Sequence, residues 1–220
     1  MSTSADRVGG RLNRLLTAAG QEPLSEKLAQ RFEDYLSLIL RWNAHFNLTA
    51  IRDEEGILSR HFVESIVCAR ALPVGIATLL DYGSGAGFPG VPIALCRPEI
   101  AVTLAESQSK KAAFLNEAIR FLALSAVTGA NGTGTKVYSG RAHSLSLTFD
   151  CVTMRAVDRM ERAIEAAARL VRPGGWLVPM TTRYDIGKLQ AAAGPQFSWQ
   201  SLVSLPGSDG RLLALGLCVC

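Results

Sequence analysis

An apolar run, an acid and four glycines follow one another in LLDYGSGAGFPGVPIAL, residues 79–95. The acid is Asp81, and the glycines are Gly83, Gly85, Gly87 and Gly90. Glycine has no Cβ, so glycines this dense after a strand indicate a ligand pressed against the backbone. Three ligand classes fit such a loop: a triphosphate, a dinucleotide, or an adenosine that carries no phosphates.

The spacing of the glycines separates these classes. A triphosphate loop requires G-x-x-x-x-G-K-[ST], and no lysine follows these glycines. The G-x-G-x-x-G spacing of nicotinamide and flavin enzymes is met from Gly85 to Gly90, but a lone match of this kind is weak. Counted from Asp81, the stretch reads D-x-G-x-G-x-G, the glycine pattern of S-adenosylmethionine sites.

Two further features favour a methyl donor. RPGGWLV, residues 172–178, predicts a helix end, a Pro-Gly-Gly turn and an apolar strand, a recurrent element of Rossmann-like methyltransferases. Glu106 ends a predicted strand 23 residues after Gly83, where nucleotide-binding sheets place the acid that holds the ribose hydroxyls. Glu106 suits a nicotinamide cofactor equally well, so it is the combination that favours S-adenosylmethionine.

The acceptor side of this predicted site has neither a nucleophile nor an obvious general base. The turn after the fourth predicted strand reads MRAV, residues 154–157, and not the Asn/Asp-Pro-Pro-aromatic turn that serves exocyclic amines. Cys151 lies inside that strand, where we expect a buried thiol and not a nucleophile. Guanine N7 carries a free lone pair and no proton, so it needs neither group. We expect no catalytic side chain and no metal, and catalysis by positioning.

Strand and helix patterns alternate after residue 73. The predicted strands are Thr78–Tyr82, Ala101–Ala105, Thr135–Tyr138, Phe149–Met154, Trp176–Met180, Ser201–Leu205 and Leu212–Val219. The predicted helices are Val91–Cys96, Lys110–Leu122, Glu161–Val171 and Ile186–Ala192. This order predicts an α/β fold of the Rossmann-like class I methyltransferase type, with a mostly parallel seven-stranded sheet. The last two strands are too close for a crossover helix, so we expect the last strand to be antiparallel.

A helical segment precedes this sheet and sets the domain organisation. Apolar residues recur at helical spacing after Ser25, a predicted N-cap, and again from about Glu54 to Ala71. We expect residues 1–72 to form a helical extension that packs on a methyltransferase domain of residues 73–220.

The composition of the chain limits which partners and which cellular location can be predicted. The 220 residues are 48% hydrophobic and carry a net charge of +4, which permits nucleic-acid binding without requiring it. The five cysteines include no C-x-x-C pair, so neither a metal site nor a disulfide framework is predicted. The absence of a signal peptide and of any apolar run of 18 residues predicts a cytoplasmic protein without membrane spans.

Several blocks of the sequence resemble one family closely. These blocks, which run in order from residue 42 to residue 157, are WNAHFNLTAIRD, RHFVESI, DYGSGAGFPGVPIALCRP, SKKAAFL and MRAV. They are similar to the signature blocks of the bacterial 16S rRNA guanine-N7 methyltransferases, the glucose-inhibited division protein B (RsmG) family. The resemblance implies methylation of a guanine N7 in the decoding region of 16S rRNA, with S-adenosylmethionine as donor. It also implies a partner, 16S rRNA or the small ribosomal subunit, and we expect a monomer.

The site residues follow from the glycine pattern and from this resemblance together. Cofactor contacts are expected at Gly83, Gly85, Phe88, Glu106, Ala142, His143 and Arg155. RNA contacts are expected at Arg60, Lys110, Lys111 and Arg211. Two alternatives stay open: a small-molecule methyltransferase on the same fold, and a protein of this fold that binds RNA without catalysis.

Overall fold

The computed structural model describes residues 7–125, 134–157, 159–207 and 210–219. The helices are α1 (Val8–Ala18), α2 (Glu26–Asn43), α3 (Glu54–Gly56), α4 (Glu64–Ala71), α5 (Gly90–Cys96), α6 (Ser109–Phe121), α7 (Met160–Ala168) and α8 (Ile186–Ala193). The strands are β1 (Thr78–Tyr82), β2 (Ala101–Glu106), β3 (Lys136–Ser139), β4 (Phe149–Arg155), β5 (Val171–Thr182), β6 (Phe197–Ser204) and β7 (Arg211–Cys218). A π-helical segment, Ile57–Val63, joins α3 to α4, and a short 3₁₀ turn, Ala142–Ser144, follows β3.

The seven strands form one sheet in the order β3-β2-β1-β4-β5-β7-β6. The strands β1 to β5 are parallel, and β7 runs antiparallel to both β5 and β6. The predicted α/β class and the antiparallel last strand are therefore confirmed. Strand order reverses between β1 and β4, and in open α/β sheets ligands bind in the crevice at such a point, beyond the carboxyl ends of the strands.

The fifth strand begins earlier than the sequence predicts. Helix α7 ends at Ala168 and not at Val171, because Val171 already pairs with Phe149 in the sheet. The next ladder partners are Cys151 and Trp176, so Arg172–Gly175 bulges out of the ladder opposite a single residue of β4. The Pro-Gly-Gly sequence thus forms a bulge within the strand rather than a turn that precedes it.

The other boundaries shift by a few residues, most clearly in β6. The alternation of apolar residues predicts a strand over Ser201–Leu205, whereas the observed strand starts at Phe197. The reason lies in β7, which pairs with β6 from Phe197 opposite Cys218 to Ser204 opposite Leu212.

The N-terminal helices pack on one face of the sheet through a shared hydrophobic core. Ser25 caps α2 as predicted, since its Oγ accepts a hydrogen bond from the amide of Leu28. Tyr35 of α2 is fully buried and its ring stacks on that of Phe62, with ring centroids 5.5 Å apart. The core formed here continues into β1, β2, α5 and α6. The domain division at residue 72 stays a prediction.

None of the helices in the described residues is both long and apolar enough to cross a membrane.

Candidate functional site

A cleft of about 1230 Å³ opens beyond the carboxyl ends of the parallel strands. Its floor is formed by the loops that follow β1, β2 and β4. One wall comes from the N-terminal segment, at Leu48–Ile51 and at Arg60 and His61, and the other from the end of β5 and from α8. The cleft therefore lies at the switch in strand order, where an α/β sheet binds its ligands.

The loop after β1 is held in place by the backbone of β2. The amides of Gly83 and Ser84 both donate to the carbonyl oxygen of Ala105, at 3.0 and 2.9 Å. Gly83, Gly85 and Gly87 have φ of +74°, +58° and +89°, a region that glycine adopts without the penalty of a Cβ. The sequence of glycines thus produces a tight loop whose backbone borders the cleft.

The four glycines differ in the space beside their backbones. A Cβ on Gly85 would meet no atom closer than the carbonyl oxygen of Gly83 at 3.9 Å, and both residues border the cleft. A Cβ on Gly87 would lie 2.5 Å from the hydroxyl of Tyr35, and one on Gly90 would lie 2.6 Å from a carboxylate oxygen of Asp81. Only Gly85 has open space beside its backbone, because a Cβ on Gly83 would lie 3.1 Å from the side chain of Val157. Gly87 and Gly90 allow close packing of the protein itself.

Asp81 and Glu106 both brace this loop. Asp81 is fully buried, and its carboxylate accepts a hydrogen bond from the amide of Gly90 at 3.0 Å. Burial raises the pKa of Asp81 to about 6, with hydrogen bonds to the carboxyl group opposing that shift. The Glu106 carboxylate accepts from the amides of Gly85, at 2.9 Å, and Gln108, at 2.7 Å. Glu106 borders the cleft and Asp81 does not.

A second pocket of about 430 Å³ continues the cleft towards β3. It shares Gly83 and Glu106 with the cleft and extends to Ala142 and His143 in the 3₁₀ turn. Ala142 is buried and the His143 side chain is exposed. Glu106 and the expected cofactor residues Ala142 and His143 therefore lie along one continuous groove.

Phe88 joins the glycine loop to the N-terminal segment. Its ring stacks on the imidazole of His61, with centroids 4.5 Å apart, and contacts the rings of Tyr35 and Phe62. His61 also forms a 2.8 Å hydrogen bond with the hydroxyl of Thr49. Burial, aided by nearby arginines, lowers the pKa of His61 to about 3, so this imidazole is neutral.

Three arginines that the sequence assigns to two different ligands converge on one carboxylate. The Glu64 side chain is fully buried and lies 3.1 Å from Arg155, 3.0 Å from Arg211 and 3.8 Å from Arg60. Arg155 also donates to the carbonyl oxygen of Arg60 at 2.7 Å. All three arginines border the cleft.

Sequence reasoning missed Glu64 as part of this site. A glutamate in a helical segment ordinarily faces solvent, and nothing in its own neighbourhood predicts pairing with β4 and β7. The available signal was its position four residues after Arg60 within RHFVESI, a stretch otherwise dominated by buried side chains.

The two lysines at the start of α6 have different surroundings. Lys111 borders the cleft. Lys110 lies over the ring of Phe46, with its ammonium nitrogen 4.9 Å from the ring centroid. Of the two, Lys111 is thus the one that the structure brings next to the other predicted site residues.

The thiol that could have served as a nucleophile is unsuited to that role. Cys151 is fully buried in β4, and burial raises its pKa well above the ordinary value of a thiol. Within the described part of the chain, no group of three or more His, Cys, Asp or Glu side chains is arranged to hold a metal ion.

Curated proteins that share one name are similar to this chain over most of its length. A protein named ribosomal RNA small subunit methyltransferase G, from Xanthomonas campestris pv. campestris, is 37% identical over 180 residues, which cover 80% of each chain. A protein of the same name from Chloroflexus aggregans is 36% identical over 215 residues, covering 94% of this chain and 90% of its own.

A solved structure of a SAM dependent methyltransferase from Aquifex aeolicus superposes with a TM-score of 0.57. It is 16% identical and covers 74% of this chain and 93% of its own. At that identity the similarity establishes the fold alone, and it confirms the Rossmann-like class I prediction.

The family model described as GidB, rRNA small subunit methyltransferase G, matches residues 28–202. The matched range includes the glycine loop, Glu64, Glu106 and Arg155. The resemblance stated from the sequence blocks is thereby confirmed: the chain belongs to the rRNA small subunit methyltransferase G family.

Proposed function

We propose that this protein transfers a methyl group from S-adenosylmethionine to N7 of a guanine in the decoding region of 16S rRNA. Membership of the family establishes the class of reaction, which is rRNA methylation with S-adenosylmethionine as donor. The choice of N7 draws support from one observation. The acceptor side of the cleft presents arginines together with His61, whose pKa is lowered to about 3, whereas the thiol of Cys151 is buried in β4 and does not border the cleft.

The cleft fits the methyl donor that the family implies. The space beside Gly85 is open. Each carboxylate oxygen of Glu106 accepts one backbone amide and has a second lone pair, so Glu106 can still accept hydrogen bonds from a ligand. We assign the ribose hydroxyls to Glu106 and the adenine to the pocket at Ala142 and His143. The full set of proposed cofactor residues is Gly83, Gly85, Phe88, Glu106, Ala142, His143 and Arg155.

Methyl transfer to N7 requires alignment more than proton transfer. The bound S-adenosylmethionine supplies an electrophilic methyl group on sulfur. The lone pair of N7 forms a bond to the methyl carbon while the carbon–sulfur bond breaks, and its electron pair stays with sulfur. N7 acquires a positive charge and loses no proton, so a general base with a pKa near neutral is not needed. The contribution of the chain is to hold both reactants in line.

RNA contacts are proposed for the basic side chains around the cleft. Arg60, Arg211 and Lys111 border it, and Lys110 is adjacent in sequence to Lys111. Arginine and lysine contacts with phosphate oxygens would place the target nucleotide over the glycine loop. A ribosomal RNA substrate also supports the predicted cytoplasmic location, and we propose that the enzyme acts as a monomer.

The basic side chains around the cleft favour RNA over the small-molecule alternative, and the volume of the cleft is compatible with an extruded base. Pockets for small ligands typically measure about 300–1,000 Å³. At about 1230 Å³, with a neighbouring pocket of about 430 Å³, this groove has room for a methyl donor and an extruded base together. The second alternative, RNA binding without catalysis, predicts no affinity for S-adenosylmethionine.

The test of the acceptor atom uses two 16S rRNA transcripts, one with guanine and one in which 7-deazaguanine replaces guanine throughout. Each transcript is offered naked and after assembly with small-subunit proteins, together with S-adenosylmethionine carrying a labelled methyl group. We expect label in the guanine transcript and none in the deaza transcript, because carbon replaces the nucleophilic nitrogen. Label in the deaza transcript would assign the reaction to another atom.

A further inference from the structure

The ion cluster around the buried carboxylate of Glu64, at the edge of the cleft, carries more positive than negative charge. Arg60, Arg155 and Arg211 bring three guanidiniums to the single carboxylate of Glu64. The neighbouring imidazole of His61 is neutral and adds nothing to the balance. Within the described part of the chain, this cluster of four side chains therefore has an excess of two positive charges.

The hydrogen-bonding groups of this cluster are also incompletely satisfied. One terminal nitrogen of Arg155, the Nε of Arg60 and both carboxylate oxygens of Glu64 are buried without a hydrogen-bond partner among the described residues, although the Glu64 carboxylate lies in ion-pair distance of the arginines. The Arg155 side chain is only 6% exposed, so solvent cannot satisfy it freely. A buried donor left without an acceptor is costly, and an anion that accepts from it removes that cost.

The cluster faces the cleft with its arginines. All three arginines border the cleft, while Glu64 lies behind them with an exposure of 0%. A guanidinium presents several donors in a fixed plane, so one edge can pair with Glu64 while another faces an incoming oxyanion. Glu64 pairs with all three arginines and does not itself border the cleft.

We propose that Glu64 is a positioning residue, which gathers Arg60, Arg155 and Arg211 into one binding site for an oxyanion of the reactants. The oxyanion is either a phosphate group of the RNA or the carboxylate of S-adenosylmethionine. This inference rests on the proposed function and adds to it that the three arginines act as one unit, held by a carboxylate that binds neither reactant.

The first experiment is a double-mutant cycle with Glu64→Gln and Arg211→Gln. Arg120→Gln serves as the charge-matched control, because Arg120 lies near the far end of α6 from the cleft. We expect Arg211→Gln to raise the KM for RNA, or the Kd for S-adenosylmethionine, about tenfold with little change in kcat. In the Glu64→Gln background the same substitution should add less than about twofold, because Arg211 has already lost its position.

The choice between the two oxyanions comes from binding measurements on the same variants. The probes are S-adenosylmethionine, 5′-methylthioadenosine, which lacks the carboxylate, and the small subunit isolated from a strain without this gene. Weaker RNA binding with a reduced salt dependence assigns the site to a phosphate. Weaker binding of S-adenosylmethionine with unchanged binding of methylthioadenosine assigns it to the carboxylate. Either result supports the proposal.

Two results would overturn it: additive effects of the two substitutions, or an equal weakening of every probe including methylthioadenosine. If Glu64→Gln does not fold, Arg211→Lys keeps the charge but loses the planar fork, and unchanged affinities in that variant would overturn the proposal as well. A wild-type protein that binds both reactants but transfers no methyl group would refute the proposed function and leave this binding test intact.

Discussion

At Gly85 the backbone itself borders the cleft, and a side chain there would enter ligand space. We predict that Gly85→Ala weakens S-adenosylmethionine binding at least tenfold, about 1.4 kcal/mol, as measured by calorimetric titration. The variant also carries a backbone penalty of about 1–2 kcal/mol for a Cβ at positive φ.

The control for that penalty is Gly20→Ala, since Gly20 has φ of +69° and a Cβ there would meet no atom within 4 Å. Both variants should lose similar thermal stability, but only the Gly85 variant should lose affinity. Equal affinities in the two proteins would refute the assignment of Gly85. Gly83 is less informative, because a Cβ there would also press on Val157 at 3.1 Å.

The buried carboxyl of Asp81 makes a prediction about stability and pH. Its pKa is about 6 in the folded protein, above the ordinary value of 3.8, so the folded state binds a proton that the unfolded chain releases between those values. The resulting stabilisation is complete below about pH 4 and is lost as the pH rises through 6. Asp81→Asn removes this titration.

We therefore expect the free energy of unfolding of the wild type to fall, relative to that of Asp81→Asn, by about 3 kcal/mol between pH 4 and pH 7. Urea denaturation of both proteins at several pH values measures this difference. A difference that stays constant over the whole range would show that the pKa of Asp81 in the folded protein is not raised above its value in the unfolded chain.

The sequence predicted the site residues in the glycine loop better than those contributed by the N-terminal segment. The spacing of acid and glycines in residues 81–90 is local, so it predicts both the loop and the ligand. Which glycine borders the ligand space cannot be predicted locally, because the space beside Gly87 is filled by Tyr35, a residue 52 positions away. Glu64 was missed for the same reason, because its partners Arg155 and Arg211 come from distant strands.

At the scale of elements, α2 supports the glycine loop directly. The hydroxyl of the buried Tyr35 donates to the carbonyl oxygen of Ala86. We predict that Tyr35→Phe lowers the free energy of unfolding by about 1 kcal/mol and raises the Kd for S-adenosylmethionine several-fold, because the loop loses this hydrogen bond to α2.

Tyr184→Phe is the matched control, since that side chain is 84% exposed. Titration calorimetry and thermal melting on the two variants give the comparison. If Tyr35→Phe lost stability but kept full affinity, α2 would be a structural support with no influence on the cofactor loop.

The start of α6 makes a prediction about RNA. Lys111→Ala should reduce the slope of log K against log salt concentration by about one unit, whereas Lys136→Ala should leave it unchanged. Lys136 is exposed at the start of β3, at the amino edge of the sheet and therefore opposite the cleft. An unchanged slope for Lys111→Ala would show that Lys111 is a solvated surface side chain that makes no contact with an RNA phosphate.

Element boundaries were predictable where local pattern decides them. The strand Thr78–Tyr82 and the helix Ile186–Ala192 were found to within a residue. The end of α7 was misplaced because Val171 pairs with Phe149, a contact that periodicity cannot reveal. In the same way, pairing with β7 extends β6 to Phe197, beyond the residues in which apolar and polar side chains alternate.

At the scale of the whole molecule, topology explains why the scattered motifs meet. The sheet places the ends of β2, β1 and β4 side by side, so Glu106, the glycine loop and Arg155 follow one another along one edge. The N-terminal helices then close the groove with Arg60 and His61. The alternation of strands and helices was predictable from the sequence, but the docking of the N-terminal segment on this edge was not.

The most direct test of the central claim maps the methyl group on the natural substrate. Small subunits from a strain lacking this gene are incubated with the protein and S-adenosylmethionine, and the 16S rRNA is then treated with borohydride and aniline, which cleave at N7-methylguanine. We predict one new cleavage site, in the decoding region, that is absent when the protein is omitted. Methyl transfer without a new cleavage site, or no transfer to either naked RNA or small subunits, would contradict the account.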